Sequence, residues 1–279
     1  MAKSNIAIEL TDVDKHFGAV HANDKVSLSV KTGTIHGIVG ENGAGKSTLM
    51  SILYGFYQSD SGQIKVFDKE FRATSSKQSI EAGIGMVHQH FMFVDNFTVL
   101  ENVILGSEGG ALISESLSKA RIELTRLAKE YGLEVELDVP VESLSVGMQQ
   151  RVEILKGLYK GAKVLILDEP TGVLTPQESD ELFRIFEALK KQGVTIILIT
   201  HKLREIMSIT DYVSVMRAGK MVAHRQTSET NPEELAELMI GRKVLLNIVK
   251  TEAKSGNPLL IANNLEIYNE QGIKRVSEV

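Results

Sequence analysis

Residues 40 to 48 constrain the fold of this chain more than any other stretch. They satisfy the pattern G-x-x-x-x-G-K-[ST] without exception. In order they are Gly40, Glu41, Asn42, Gly43, Ala44, Gly45, Lys46, Ser47 and Thr48. The apolar run Ile35–Val39 precedes them, and Leu49, Ile52 and Leu53 follow at helical spacing. The pattern predicts a strand, a glycine loop and a helix, the context in which such a loop binds phosphate.

Phosphate chemistry explains why these residue types are needed. Glycines allow a tight loop whose backbone N–H groups converge on phosphate oxygens at the positive end of a helix. We expect Lys46 to reach the β- and γ-phosphates of a nucleotide and the Ser47 hydroxyl to ligate Mg²⁺. The alternative is an ordinary glycine turn before a helix, and the strand and helix around the loop argue against it.

Composition limits the class of protein further. The 279 residues carry a net charge of -5, which gives no support for a nucleic-acid partner. The chain has no cysteine, so it forms no disulfide or thiolate site, which is typical of the cytoplasm. Apolar stretches such as Val194–Ile199 are strand-sized, far below the roughly 20 residues that cross a bilayer. Acidic residues at Glu9 and Asp12 stand where a signal peptide would need its apolar centre.

Short apolar strands alternate with amphipathic helices along the chain. Ile6–Leu10 and Val26–Val30 read as strands, and the pattern from Thr98 to Gly161 is mainly helical. The apolar run Val164–Leu167 is a buried type of strand, and an amphipathic helix follows it. This order predicts an α/β fold with a mainly parallel sheet, with ligands at the carboxyl ends of its strands.

Two adjacent carboxylates, Asp168 and Glu169, follow that buried strand directly. Asp168 is suited to hold the magnesium shell, and Glu169 to orient or deprotonate an attacking water. The same pair would also fit a solvated strand end that caps the next helix. Its position after a buried strand favours the functional interpretation.

Five separate motifs occur in one order along the chain. After the glycine loop come Gln89 within Met86–His90, then Leu144–Gln150, Leu165–Pro170 and Thr200–His201. This order resembles the ATP-binding cassette family, the ATPase subunits of transporters, over residues 5–243. The resemblance implies a P-loop NTPase fold with an N-terminal antiparallel β subdomain and a helical subdomain inserted at about 98–161. It also implies ATP and Mg²⁺ as ligands.

The resemblance assigns roles to three residues outside the loop and the carboxylate pair. Gln89 would contact Mg²⁺ and the attacking water and couple the site to a transmembrane partner. His201 would contact the γ-phosphate as a switch in catalysis, and Phe17 would stack on adenine. Outside this motif order, Gln89 also fits a polar loop residue, His201 a hydrogen-bonded strand-end histidine, and Phe17 a core aromatic.

The Leu144–Gln150 stretch is the signature that separates this family from other phosphate-loop proteins. By the resemblance, its Ser145, Gly147, Met148 and Gln149 cap the ATP held by a second domain, with a helix dipole facing the γ-phosphate. This signature departs from the common Leu-Ser-Gly-Gly-Gln, because Val146 replaces a glycine and Met148 the glutamine. Thr175 also stands where an aspartate is usual, so equal hydrolysis at two shared sites is in doubt.

Sequence around these motifs resembles the first domain of tandem ATPases that serve importers of simple sugars and nucleosides. That resemblance predicts a second cassette, beginning within 259–279 after a linker at 244–258. A partial internal repeat points the same way. Leu260–Glu266 resembles Ile8–Asp14, and Ile273–Val279 aligns with Val20–Val26 after a one-residue gap. Coincidence is the alternative, since strand patterns recur freely.

The implied partners are transmembrane permease subunits, a second cassette in the same or another chain and, indirectly, a solute-binding protein. The implied location is the cytoplasmic face of the membrane. A soluble cassette ATPase acting on nucleic acid or ribosomes is a competing class. The segment from 49 to 143 has no room for the coiled-coil arm of repair proteins, and the 244–258 linker is short. A phosphate-loop kinase has no need of the signature.

Overall fold

The computed structural model describes residues 5–88, 91–105, 113–243, 256–268, 272 and 274–276. The chain forms two compact units, Met1–Val244 and Leu245–Val279. The strands are β1 Ile6–Phe17, β2 Val20–Lys31, β3 Ile35–Val39, β4 Ser61–Val66, β5 Lys69–Glu70, β6 Ile84–Val87, β7 Val164–Asp168, β8 Thr195–Ile199, β9 Tyr212–Arg217, β10 Lys220–Gln226, β11 Ile267–Tyr268 and β12 Lys274–Val276. The helices are α1 Lys46–Leu53, α2 Ser76–Glu81, α3 Val99–Ile104, α4 Ile113–Tyr131, α5 Val146–Tyr159, α6 Pro176–Lys191, α7 Leu203–Ile209 and α8 Pro232–Ile240, with 3₁₀ helices at Val141–Ser143 and Thr227–Glu229.

A six-stranded sheet forms the centre of the larger unit. Its order is β10-β9-β3-β8-β7-β6, and every neighbouring pair except β9 with β10 is parallel. β3 and β8 are buried along their full length, as their mainly apolar sequences predict, and the polar His36 and Thr195 are buried with them. The predicted α/β fold with a mainly parallel sheet is confirmed. The carboxyl ends of β3, β7 and β8 meet at one edge, where the loops with the predicted site residues begin.

A second, antiparallel sheet has the order β2-β1-β4-β5, which confirms the expected N-terminal β subdomain. β1 and β2 extend beyond the predicted strands at 6–10 and 26–30. Asp12 and Lys25 adopt left-handed backbone angles, with φ of 49° and 47°, and the β1/β2 register shifts between Leu10 and Val13. Because a bulge interrupts the two-residue alternation of side chains, the sequence pattern conceals the outer half of each strand.

The helical insertion consists of α3, α4, the 3₁₀ helix at Val141–Ser143 and α5. Thr98 and Glu101 form a capping box that starts α3. Leu124, Leu127 and Ala128 of α4 are buried, so the apolar stripe read from the sequence faces the core. The predicted α-helical insertion is confirmed, while its bounds at about 98–161 stay a prediction. Within the described residues, no helix is long and apolar enough to span a membrane.

The smaller unit contains a short hairpin. β11 and β12 are antiparallel, and their register shifts between Ile267 and Tyr268. Asn264, just before β11, has a left-handed φ of 53°. The apolar residues 259–261 ahead of it are exposed. Among its described residues, this unit therefore has local strand pairing with little apolar burial.

Candidate functional site

The glycine loop connects β3 to α1, the position predicted from the sequence. Lys46 is 6% exposed, and its Nζ donates to the carbonyl oxygens of Gly40 at 2.8 Å and Glu41 at 3.0 Å. Burial lowers the pKa of Lys46, while the carboxylates of Glu169 and Asp168 act in the opposite direction. No side chain caps the start of α1, so its first N–H groups remain available to a phosphate.

Two of the three loop glycines, Gly40 and Gly45, are required for steric reasons. Gly45 has a φ of 98°, and an added Cβ would lie 2.2 Å from the carbonyl oxygen of Ala22. An added Cβ on Gly40 would lie 2.3 Å from the carbonyl oxygen of Met216. Around Gly43, by contrast, an added Cβ would meet nothing within 4 Å. The loop is thus packed against the protein on one side and open at Gly43, an arrangement that fits a nucleotide phosphate.

Asp168 ends β7 and meets the loop through Ser47. Burial raises the pKa of Asp168, and the nearby Ser47 hydroxyl, as a hydrogen-bond donor, opposes that shift. A hydroxyl and a carboxylate in contact form the oxygen donor set that suits Mg²⁺ beside nucleotide phosphates. These residues fit the predicted metal.

Glu169 and His201, read from separate motifs, are in direct contact. His201 Nδ1 lies 2.8 Å from Glu169 Oε1. Glu169 has a φ of 48°, which is uncommon for a residue with a Cβ and marks local strain. Its backbone N–H donates to the Ile199 carbonyl at 2.9 Å, so the turn is tied to β8. The fold therefore supports a carboxylate and an imidazole side by side at the sheet edge.

A buried polar cluster behind these two residues was missed in the sequence. Glu205 is 7% exposed and accepts hydrogen bonds from the hydroxyls of Thr171 and Thr200, the latter at 3.0 Å. Lys202 Nζ lies 3.2 Å from Glu205 and donates to the Thr171 carbonyl at 2.9 Å. This cluster fixes the loops after β7 and β8 to each other. A glutamate in the first turn of a helix is usually solvent-exposed, so the sequence around Glu205 gave no indication that it is buried and joins two loops.

Two more residues of interest lie on the β1/β2 hairpin, near its turn. Phe17 is 42% exposed, so it is not a core aromatic, and its ring lies 5.1 Å from that of Tyr57 in an edge-on arrangement. Stacking of Phe17 on adenine stays a prediction. Asn23, which the sequence did not single out, is fully buried and its Nδ2 donates to the Gly45 carbonyl at 3.1 Å. The hairpin therefore supports the phosphate loop directly.

The signature forms the start of α5. Ser145 is its N-cap and accepts from the backbone N–H of Met148 at 3.4 Å. Gly147 packs near Glu178 of α6, where an added Cβ would lie 3.1 Å from Oε1. The Gln149 Nε2 donates to the carbonyl oxygens of Val141 at 3.2 Å and Leu144 at 3.4 Å. The Gln149 side chain thus stabilises the start of α5 and the segment before it. Ser145 is exposed.

The structure brings together the glycine loop, Asp168, Glu169 and His201. The partners found for Ser145, Gly147 and Gln149 lie instead in their own helix, the preceding 3₁₀ helix and α6. Gln89, predicted to contact Mg²⁺ and the attacking water, lies outside the described residues. The nucleotide roles of all these residues stay predictions.

These elements together define a P-loop nucleotide-binding domain with an added antiparallel sheet and a helical insertion. The model of the ABC transporter family matches residues 23–172. The chain belongs to this family, and the resemblance drawn from the five motifs is confirmed.

The curated relatives that this chain matches include import ATP-binding proteins. It is 48% identical to the nucleoside import ATP-binding protein NupA of Lactococcus lactis, over 96% of this chain and 53% of that protein. The guanosine import ATP-binding protein NupO of Bacillus subtilis is 46% identical, over 98% and 53%. The ribose import ATP-binding protein RbsA of Clostridium tetani is 36% identical, over 99% and 56%. The chain spans about half the length of these relatives.

Solved structures agree on the fold. A nucleotide-free ATP-binding cassette from an ABC transporter superposes with a TM-score of 0.73 at 26% identity, covering 84% of this chain and 98% of that one. Another cassette, solved in its ADP conformation, gives a TM-score of 0.74 at 26% identity over 86% and 100%.

Proposed function

We propose that this chain binds and hydrolyses ATP to energise an ABC importer of a nucleoside or simple sugar. The single observation that carries the proposal is the contact of Glu169 with His201 beside the Lys46 loop. The names of the similar proteins support the solute class. The paired arrangement of Ser47 and Asp168 supports Mg²⁺ as the accompanying ion.

The geometry suggests how hydrolysis proceeds. The loop N–H groups and Lys46 hold the phosphates at the positive end of α1. Mg²⁺, held by Ser47 and Asp168 with Gln89, would neutralise charge on the phosphate oxygens. Glu169 accepts a proton from the attacking water or orients it, and His201, held by Glu169, hydrogen-bonds to the γ-phosphate. Lys46, Asp168, Glu169 and His201 would act from loops that begin at one edge of the sheet.

The signature completes a second shared site in this proposal. Ser145 and the first N–H groups of α5 face the γ-phosphate of an ATP held by another cassette. Val146 is 40% exposed at this helix start, so its side chain lies where the common glycine would leave space. We therefore infer that the site capped by this signature is the weaker of two.

A second cassette beginning within 259–279, after a linker at 244–258, is part of the proposal. Asn264 occupies the repeat position of Asp12, and both have left-handed backbone angles, with φ of 53° and 49°. The paired residues of the smaller hairpin also correspond, in the repeat, to paired residues of β1 and β2. The pair Ile267 and Val276 corresponds to the pair Lys15 and Asn23. The pair Tyr268 and Lys274 corresponds to the pair His16 and His21. A shared bulge and register support common descent more strongly than strand-like sequence alone. Residues 244–255 lie outside the described part.

A groove between the sheet and α5 is the proposed docking place of a permease subunit on the cytoplasmic face of the membrane. Its volume is about 230 Å³, and Phe56 and Met92 on its lining are 48% and 69% exposed. The ring of His88 stacks on Phe56 with centroids 5.4 Å apart, and Gln89 follows His88 directly. A cytoplasmic apolar segment of a permease fits this groove. A solute-binding protein would act through the permease, and no nucleic acid takes part.

Replacing Glu169 by Gln tests the proposed function. Gln keeps an acceptor for His201, so ATP affinity should stay within about twofold, while kcat of the assembled transporter falls about 10²- to 10⁴-fold. Equilibrium ATP binding and phosphate release measure the two quantities. Glu134→Gln, on an exposed glutamate, is the matched control and should leave both unchanged. Hydrolysis by Glu169→Gln at the wild-type rate would remove Glu169 from the catalytic role.

A further inference from the structure

A group of metal-ligating side chains lies on the β1/β2 hairpin, apart from the residues that bind nucleotide phosphates. Asp14 and His16 both lie on β1, in the irregular part of the strand where its register with β2 shifts on both sides of Lys15. His16 is paired directly with His21 of β2. One ligand atom from each of the three residues lies within 4.8 Å of the other two. Strand pairing thus brings one carboxylate and two imidazoles together.

The Asp14 carboxylate connects the two imidazole rings. Its Oδ1 lies 3.0 Å from His16 Nδ1, and its Oδ2 lies 2.9 Å from His21 Nε2. The rings are stacked with centroids 3.8 Å apart and an interplanar angle of 14°. The nitrogens that face Asp14 thus lie within 3.0 Å of one carboxylate, so three ligand atoms of the kinds that bind a transition metal meet at one point of the hairpin.

Two further carboxylates surround this group. Asp60 Oδ2 lies 3.7 Å from His16 Nδ1, and Asp24 Oδ2 lies 3.9 Å from His21 Nδ1. The second contact is at the ring nitrogen of His21 that does not face Asp14. At 3.9 Å this carboxylate lies beyond hydrogen-bond distance, so it adds negative charge beside His21 without fixing the ring. Each outer carboxylate also pairs with a lysine, so Asp14 is the acid best placed to give its charge to an ion.

We propose that Asp14, His16 and His21 bind a divalent transition-metal ion, with Zn²⁺ as the ion that suits two imidazoles and one carboxylate. Three protein ligands leave at least one position for water. The site is chemically distinct from the Mg²⁺ site, which uses a hydroxyl and carboxylate oxygen. Because His16 precedes Phe17 and Asn23 contacts the phosphate loop, a bound ion braces the strand pair that supports this loop.

A Zn²⁺ titration tests the proposal directly. The untagged full chain is freed of metal with a chelator and titrated by calorimetry without nucleotide, in excess Mg²⁺ to occupy oxygen-ligand sites. We expect one Zn²⁺ per wild-type chain and at least about tenfold weaker binding by His21→Ala. His224→Ala is the matched control, since this histidine lies on β10 outside the group, and it should bind as the wild type does.

A second variant separates loss of a ligand from loss of structure. Asp14→Asn keeps the size of the side chain but removes its charge, and it should also bind Zn²⁺ at least about tenfold more weakly. Zn²⁺ should raise the thermal midpoint of the wild type and of His224→Ala but not of His21→Ala or Asp14→Asn. A wild type without saturable Zn²⁺ binding, or two folded variants with wild-type affinity, would overturn the proposal.

Discussion

In the phosphate-loop region, a buried lysine, a hydroxyl in contact with a carboxylate and a carboxylate in contact with an imidazole lie around one sheet edge. At the signature, Ser145 caps the start of α5, Gln149 bonds to the segment just before the helix, and Glu178 of α6 lies close to Gly147. In the proposed mechanism, the first region has the groups that bind and cleave a phosphate. The second offers an exposed hydroxyl and backbone N–H groups, which recognise a phosphate but cannot cleave it.

This difference teaches which steps a single cassette can carry out. In the proposed function, nucleotide binding requires the loop, whose supports at Asn23 and Met216 belong to the same unit. Rapid hydrolysis, in the proposed mechanism, requires the signature of another cassette as well. Variants in the two regions should therefore separate affinity from turnover, and three substitutions test that separation.

Gly45→Ala should have the largest effect. The left-handed angle and the 2.2 Å approach to the Ala22 carbonyl together should lower the free energy of unfolding by about 3 kcal/mol and abolish ATP binding. Urea unfolding measures the stability. Gly161→Ala is the matched control, because its φ of 81° is similar but its Cβ meets nothing within 4 Å, and it should cost about 1 kcal/mol. Equal losses in both variants would contradict the steric account.

Lys46→Ala should act on binding more than on folding. Removing a cation proposed to contact two phosphates should weaken ATP affinity of the chain about 10- to 100-fold. A fluorescent ATP analogue measures this affinity by displacement. Lys65→Ala, which removes an exposed lysine paired with Glu9, should bind ATP as the wild type does. Unchanged affinity in Lys46→Ala would show that the loop backbone suffices.

Ser145→Ala should have the smallest effect and should sharpen the contrast. Loss of the N-cap of α5 should cost about 1 kcal/mol of stability, while ATP affinity of the single chain stays at the wild-type value. Asn231→Ala, which removes the N-cap of α8, provides the same loss of a cap away from the signature. In the assembled transporter only Ser145→Ala should lower turnover. Weaker ATP binding by the isolated Ser145→Ala chain would mean that the two regions are not separate.

The sequence predicted those parts of the site that local pattern determines. The glycine loop has a fixed spacing, and Asp168 and Glu169 follow a recognisably buried strand, so both could be placed in the fold without coordinates. The order of strands and helices followed from their periodicity. The helical insertion was visible for the same reason, since the α4 stripe repeats at three and four residues.

Contacts between distant segments could not be predicted. Asn23 reaches Gly45 from another strand, and Glu205 joins hydroxyls from two loops, yet each is an ordinary polar residue in its own segment. Asp12 and Lys25 adopt left-handed backbone angles, for which a glycine would be the usual sign in a sequence. Because neither is a glycine, the bulges were not predicted and the strands were predicted too short. The contact of Glu169 with His201 likewise depends on the parallel pairing of β7 with β8.

That pairing continues past the end of β7. The N–H of Glu169 donates to the Ile199 carbonyl, so the peptide that carries the carboxylate is part of the sheet and not of a loose loop. The backbone of this residue is therefore ordered during folding, before any nucleotide binds. In the proposed mechanism, the carboxylate then needs little rearrangement for each turnover, and the group still to be brought in is the signature of a second cassette.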